Sequence, residues 1–229
     1  MFCDFCKWNF IRCLSLAILI GFCSSFAWST ESESIVPLKK DAWVTLTYSK
    51  IPSNDVAFVN NTLIVKVKHS AGPIVHKLEK TSKVSEFFVK GKITGAKIEE
   101  SSPFDEDSVL RFGLVAIGKQ TLTGPKKWIA ADWVKKLFAL APEGTGLDKI
   151  YFFNLTNRDD LLNRSRTHPK SDLIVESIVA KTNKDGSFDV RKKIETPIEI
   201  TAIWISIDGD DTKSEYVTEI SEIKIKVAQ

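Results

Sequence analysis

The run Ile198–Ile207 constrains the fold more than any other part of the chain. In an extended backbone Ile198, Ile200 and Trp204 fall on one face, and Ile203, Ile205 and Ile207 on the other. A strand apolar on both faces must be covered from both sides, so it belongs in the middle of a layered structure. Two other segments read as half-buried strands. In 62–68, Leu63, Val65 and Val67 alternate with Lys66 and Lys68, and in 222–227 Ile223, Ile225 and Val227 alternate with Glu222, Lys224 and Lys226. Further strands are expected at 42–48, 56–59, 74–78, 84–90, 109–117, 149–155, 172–180 and 187–194.

Turn residues separate many of these runs: Asn60-Asn61, Ala71-Gly72-Pro73, Lys184-Asp185-Gly186 and Asp208-Gly209-Asp210. One helix is expected at about 128–140, where Ile129, Trp133, Val134, Leu137 and Phe138 recur at helical spacing and Pro142 ends the run. About ten strands and one covering helix predict a mainly β protein, a jelly-roll-like antiparallel β-sandwich. No repeat, long linker or low-complexity stretch divides residues 41–229, which read as a single domain behind a polar leader, 28–40.

The N-terminus has the three parts of a secretory signal peptide. Lys7 and Arg12 precede an apolar run centred on Leu14–Phe22, and Ser25-Phe26-Ala27 supplies small residues before Trp28. The expectation is a cleaved signal over 1–27, an exported protein in the periplasm or outside the cell, and no stable membrane span after cleavage. An uncleaved anchor is the alternative. All four cysteines, Cys3, Cys6, Cys13 and Cys23, lie in this segment, so no disulfide, zinc knuckle or thiol nucleophile is available beyond it. A net charge of +3 over 229 residues, without a basic cluster, gives no reason to expect nucleic acid.

Three groups of residues could carry chemistry. Asp208, Asp210 and Asp211 place three carboxylates within four residues, a candidate for a hard cation such as calcium, although their spacing is not that of an EF-hand. The competing reading is a solvated hairpin turn. The acidic Asp105-Glu106-Asp107 precedes Arg111, which shares its strand face with Val109, Val115 and Ile117 and therefore needs a carboxylate partner if that face is covered. This is either a structural ion pair or the polar floor of a ligand site formed by Asp105, Asp107 and Arg111. Trp128, beside Lys126 and Lys127, is the best candidate for an exposed ring that stacks on a sugar, whereas Trp43, Trp133 and Trp204 fit core positions. The polar stretch 154–170, with Arg158, Arg164 and Arg166, reads either as a solvated loop or as a contact for an acidic glycan or a partner. No phosphate loop, dinucleotide turn or nucleophile elbow occurs, and nothing calls for a cofactor beyond that calcium candidate.

Several segments resemble, in order, a secreted bacterial family of domains of unknown function. The strongest match is Ile198–Thr212, a hydrophobic strand followed by an Asp-rich turn ending in Thr. Phe104–Arg111 resembles that family's acidic turn leading into an arginine-bearing strand, and Lys149–Phe153 its aromatic strand. The resemblance spans roughly 41–227 and implies a jelly-roll sandwich like that of carbohydrate-binding modules. The expected function is an exported, non-catalytic binding protein for glycan or a cell-envelope polymer. One alternative is an envelope structural or interaction protein without a small-molecule site. The other is a carbohydrate-active hydrolase pairing Asp105 or Asp107 with Asp208 or Asp210, which needs two carboxyls about 5–9 Å apart.

Overall fold

The computed structural model describes residues 31–95, 108–169 and 171–228. The signal segment 1–27 and the acidic residues Asp105 and Asp107 lie outside them. In chain order the strands are β1 (Ser32–Ile35), β2 (Val44–Thr45), β3 (Asp55–Val59), β4 (Thr62–Lys68), β5 (Ala71–Thr94) and β6 (Ser108–Gly118). Two short helices follow, α1 (Pro125–Ile129) and α2 (Asp132–Phe138). Then come β7 (Gly146–Thr156), β8 (Ser165–His168), β9 (Ser171–Lys181), β10 (Ser187–Asp208) and β11 (Glu215–Val227).

Two strands of more than twenty residues organise the molecule. β5 and β10 pair antiparallel almost end to end, with register breaks between Lys193 and Ile198 and between Ile200 and Ala202. The half of this ribbon formed by residues 84–94 and 187–193 joins β11, β4, β3 and β1 in a first layer. The half formed by residues 71–77 and 200–208 joins β2, β6, β7, β9 and β8 in a second layer. The hydrogen-bonded ladder is therefore continuous, yet the two halves stack face to face. Phe87 of the first layer meets Phe112 and Phe153 of the second, with ring centroids 4.6 and 4.8 Å apart. One core fills the space between: Leu63, Val65 and Ile223 from one side, Leu110, Leu114 and Ile205 from the other, each essentially buried. Each such side chain contributes about 1.5–3 kcal/mol of burial. The protein is thus mainly β and a jelly-roll-like sandwich, the shape a folded-over antiparallel ribbon gives. β7 and β9 form the one parallel pair among its described ladders.

A second cluster lies on the outer face of the second layer, where Val75, Val115, Phe152 and Trp204 pack beneath Leu137 of α2. The central run 198–207 is therefore covered on both sides, but its faces are not divided as strict alternation predicts. Ile200 enters the inter-layer core with Ile203, Ile205 and Ile207, while Ala202 and Trp204 face the helix. Against β6 the register break between Ile200 and Ala202 inserts one residue in β10 and flips the pleat. Thr201, at the break, donates its hydroxyl to the carbonyl of Leu140 at 2.8 Å, tying the region after α2 to the bulge.

The single helix expected at 128–140 is two helices. Ala130 and Ala131 both have extended ψ values, 139° and 151°, and break the spiral. Ile129 is turned into solvent, whereas Trp133 packs inward. The leader also differs from its reading. β1 pairs with β11, and Val36 and Leu38 are buried in the main core, so residues from Ser32 onward belong to the sandwich. Similarly, the polar stretch 154–170 is not one solvated loop: it holds the end of β7, a 3-10 turn at Asp159–Leu161 and strand β8. Among the described residues no helix is long and apolar enough to cross a membrane.

Candidate functional site

Ile207 and Asp208 end β10 in the second layer, and Glu215 begins β11 in the first. The Asp208–Asp211 segment is therefore an arch between layers and not a hairpin turn, because β5 lies between the two strands. A second arch, His69-Ser70 between β4 and β5, runs beside it. The His69 amide donates to Ser214 O at 3.1 Å, and the Gly209 amide donates to Ser70 O at 3.1 Å. Asn54 closes the corner by donating to Ile207 O at 2.7 Å and accepting from the Ser70 hydroxyl at 2.7 Å. Such closure is what buried backbone groups require.

Cross-strand partners share a sheet face. On the outer face of the second layer Arg111 stands opposite Ser206 of β10 and Asn154 of β7. Arg111 Nη1 donates to Asp208 Oδ2 at 2.8 Å, and its Nε lies 3.7 Å from Glu176 Oε1. Arg166 of β8 donates to the other oxygen of Glu176 at 2.7 Å. The Ser206 hydroxyl lies 2.9 Å from Asp208 Oδ2. Two guanidinium groups and two carboxylates thus balance in a region where the Asp208 and Glu176 side chains are 8% and 2% exposed. Tyr48 caps the group. Burial first, and then the Asp208 charge, push its hydroxyl pKa well above the usual value; Arg111 and a hydrogen bond with Ser206 oppose the shift. Its ring meets Trp133 edge-on at 5.9 Å, and Trp133 meets Trp204 in the same manner at 6.3 Å.

Of the two acidic turns singled out in the sequence, only Asp208–Asp211 lies within the described residues. Asp208 is the carboxylate that Arg111 needs; Glu176, which sequence reasoning missed, and Arg166 of the polar stretch 154–170 complete the cluster. Glu176 interrupts a strand that is apolar on both faces, between Leu173-Ile174-Val175 and Ile178-Val179, and that lone acid is the signal that could have found it; its partners come from β6 and β8. Asp210 is half-buried and Asp211 exposed on the arch. Among the described residues no three His, Cys, Asp or Glu side chains stand together in an arrangement that could hold a metal ion. The carboxylate of Asp208 is engaged by both Arg111 and Ser206. Trp128 is outside this cluster: it projects from α1 with its residue 86% exposed.

A concave feature with space for a ligand lies elsewhere. A cleft of about 720 Å³ opens where β10 bends between the layers, beside β6 and β7. Tyr151 and Ile198 line its apolar part, and Asp148, Lys192, Lys193 and Glu199 its polar part. Tyr151 is half-buried; burial and the neighbouring charge of Asp148 both raise its hydroxyl pKa. Glu195 and Thr196 complete its polar rim. The aromatic strand 149–155 was legible in the sequence, but the exposure of one of its rings depends on how β10 bends.

No family model matches the chain, and no curated protein matches it. Solved structures similar to it include carbohydrate-binding modules. A family 29 module gives a TM-score of 0.38 at 4% identity, covering 87% of this chain and 90% of its own. The family 32 module of C. perfringens NanJ, solved with galactose, gives 0.33 at 10% identity over 85% of this chain and 99% of its own. The xylan-binding module CBM15 gives 0.35 at 9% identity over 88% and 98%. The sandwich itself rests on the register and core described above.

Proposed function

We propose that this chain is an exported, non-catalytic binding protein whose cleft beside Tyr151 takes the sugar rings of a glycan or cell-envelope polymer. The carrying observation is the composition of that cleft: one accessible aromatic ring set among both carboxylates and ammonium groups. A pyranose offers an apolar C–H face and a rim of hydroxyls. Tyr151 suits the first, while Asp148 and Glu199 accept from hydroxyls and Lys192 and Lys193 donate to them. The volume lies within the range usual for small-molecule sites. Export is supported by the charge and apolar pattern of residues 1–27.

Affinity electrophoresis through gels containing neutral and acidic polysaccharides, with peptidoglycan pull-down, tests this reading. The protein is retarded by at least one polymer, and Tyr151→Ala weakens the retardation roughly tenfold. Equal mobility in every gel and no peptidoglycan retention would end the proposal.

A further inference from the structure

Residues 123–129 are exposed without interruption. α1 closes this run, and it buries no side chain against the rest of the protein. Trp128 and Ile129 are 86% and 85% exposed, more than any other large apolar residue described. A five-residue helix has little stability of its own. Here Pro125 fixes its first turn, and α2 begins three residues after it ends. Lys126 and Lys127 precede the apolar pair, and the first turn holds no acid. The surrounding stretch 119–145 contains five lysines and two acids in a chain whose total charge is only +3.

We infer that α1 is a docking tip for an anionic lipid bilayer: Trp128 and Ile129 enter the headgroup region while Lys126 and Lys127 meet lipid phosphates. An indole is at home at that depth, with its ring in the apolar boundary and its N–H in the headgroups. Ile129 decides against a glycan, since an aliphatic side chain offers nothing to a hydroxylated polymer. The small size of the patch decides against a protein. Two side chains fall far below the roughly 800 Å² per partner of a stable protein interface, whereas a fluid bilayer needs no matching surface. Contact through so few groups is reversible and weakens with salt. This site is separate from the cleft at Tyr151, and either can fail without the other.

Hydrogen exchange on the full chain tests the inference, because it reads the tip itself whatever residues 1–30 do. Vesicles of phosphatidylcholine with about a third phosphatidylglycerol are compared with phosphatidylcholine alone. Amides of residues 124–131 exchange about tenfold more slowly on the anionic vesicles and not on the neutral ones. Trp128→Ala with Ile129→Ala abolishes that protection, and Lys126→Glu with Lys127→Glu cuts it to less than about twofold. Unchanged exchange at 124–131 in vesicle-bound protein would overturn the inference, as would failure to bind the anionic vesicles. Equal protection by a soluble acidic polysaccharide, without lipid, would also overturn it and assign the tip to a glycan.

Discussion

The guanidinium of Arg111 holds the carboxylate of Asp208 at 2.8 Å, joining the start of β6 to the end of β10 across 97 residues of sequence. Glu176 shares the same cation from the other side. Arg111→Met leaves two buried carboxylates without that counter-charge, and stability falls by about 3–5 kcal/mol. Combining Arg111→Met with Asp208→Leu recovers more than half of the loss, because a charge no longer lacks its partner. Urea unfolding of the two variants checks both values. A midpoint unchanged in Arg111→Met would show that the pair adds nothing to stability.

Gly113 faces the helix-covered side of the second layer. A Cβ there would lie 2.7 Å from the Phe152 ring and 3.1 Å from Trp204 Cβ. Gly113→Ala therefore forces two large aromatic residues apart and costs about 1–3 kcal/mol. Thermal unfolding reports it, and near-ultraviolet circular dichroism reports the displaced tryptophan.

Leu137 is the fully buried residue of α2 and fastens it to the sheet. Leu137→Ala removes about 2–5 kcal/mol. Amide exchange in α2 rises with it, while that in the inter-layer core changes only as global stability does. Equal stability of variant and parent would mean that the helix is not held by this contact.

Tyr48 gives a dependence on alkaline pH. Its folded pKa is raised above the usual 10.0, chiefly by burial. A group raised in the folded state contributes stability fully present below its unfolded pKa and lost as pH rises toward the folded one. The loss attributable to Tyr48 thus begins near pH 10 and continues upward. Tyr48→Phe flattens the decline above that pH relative to the parent, as urea midpoints measured from pH 8 to about 11 would reveal. Parallel curves would show that Tyr48 does not titrate on unfolding.

Much of this sandwich is readable from side-chain alternation, since a half-buried ladder needs a period of two. Leu63, Val65 and Val67 show it, as do Ile223 and Ile225. Alternation stops being informative where the backbone inserts a residue. At Thr201 one bulge moves Ile200 from Trp204's expected face to the opposite one. It is also silent about partners distant in sequence. Arg111 visibly required a carboxylate, but Asp208 and Glu176 supply it through strand neighbours that no local pattern specifies. Trp128 stood out beside two lysines, whereas Tyr151 gained its exposure only from the bend in β10. The helix expected over 128–140 divided because Ala130 and Ala131, neutral in pattern, are extended.

The course of β5 and β10 through both layers has a mechanical consequence. Neither layer can be peeled from the other without tearing ladders in each, so tension applied at one end of the protein is shared by the whole. Stretching should therefore produce a single rupture event and not a stepwise opening of two plates.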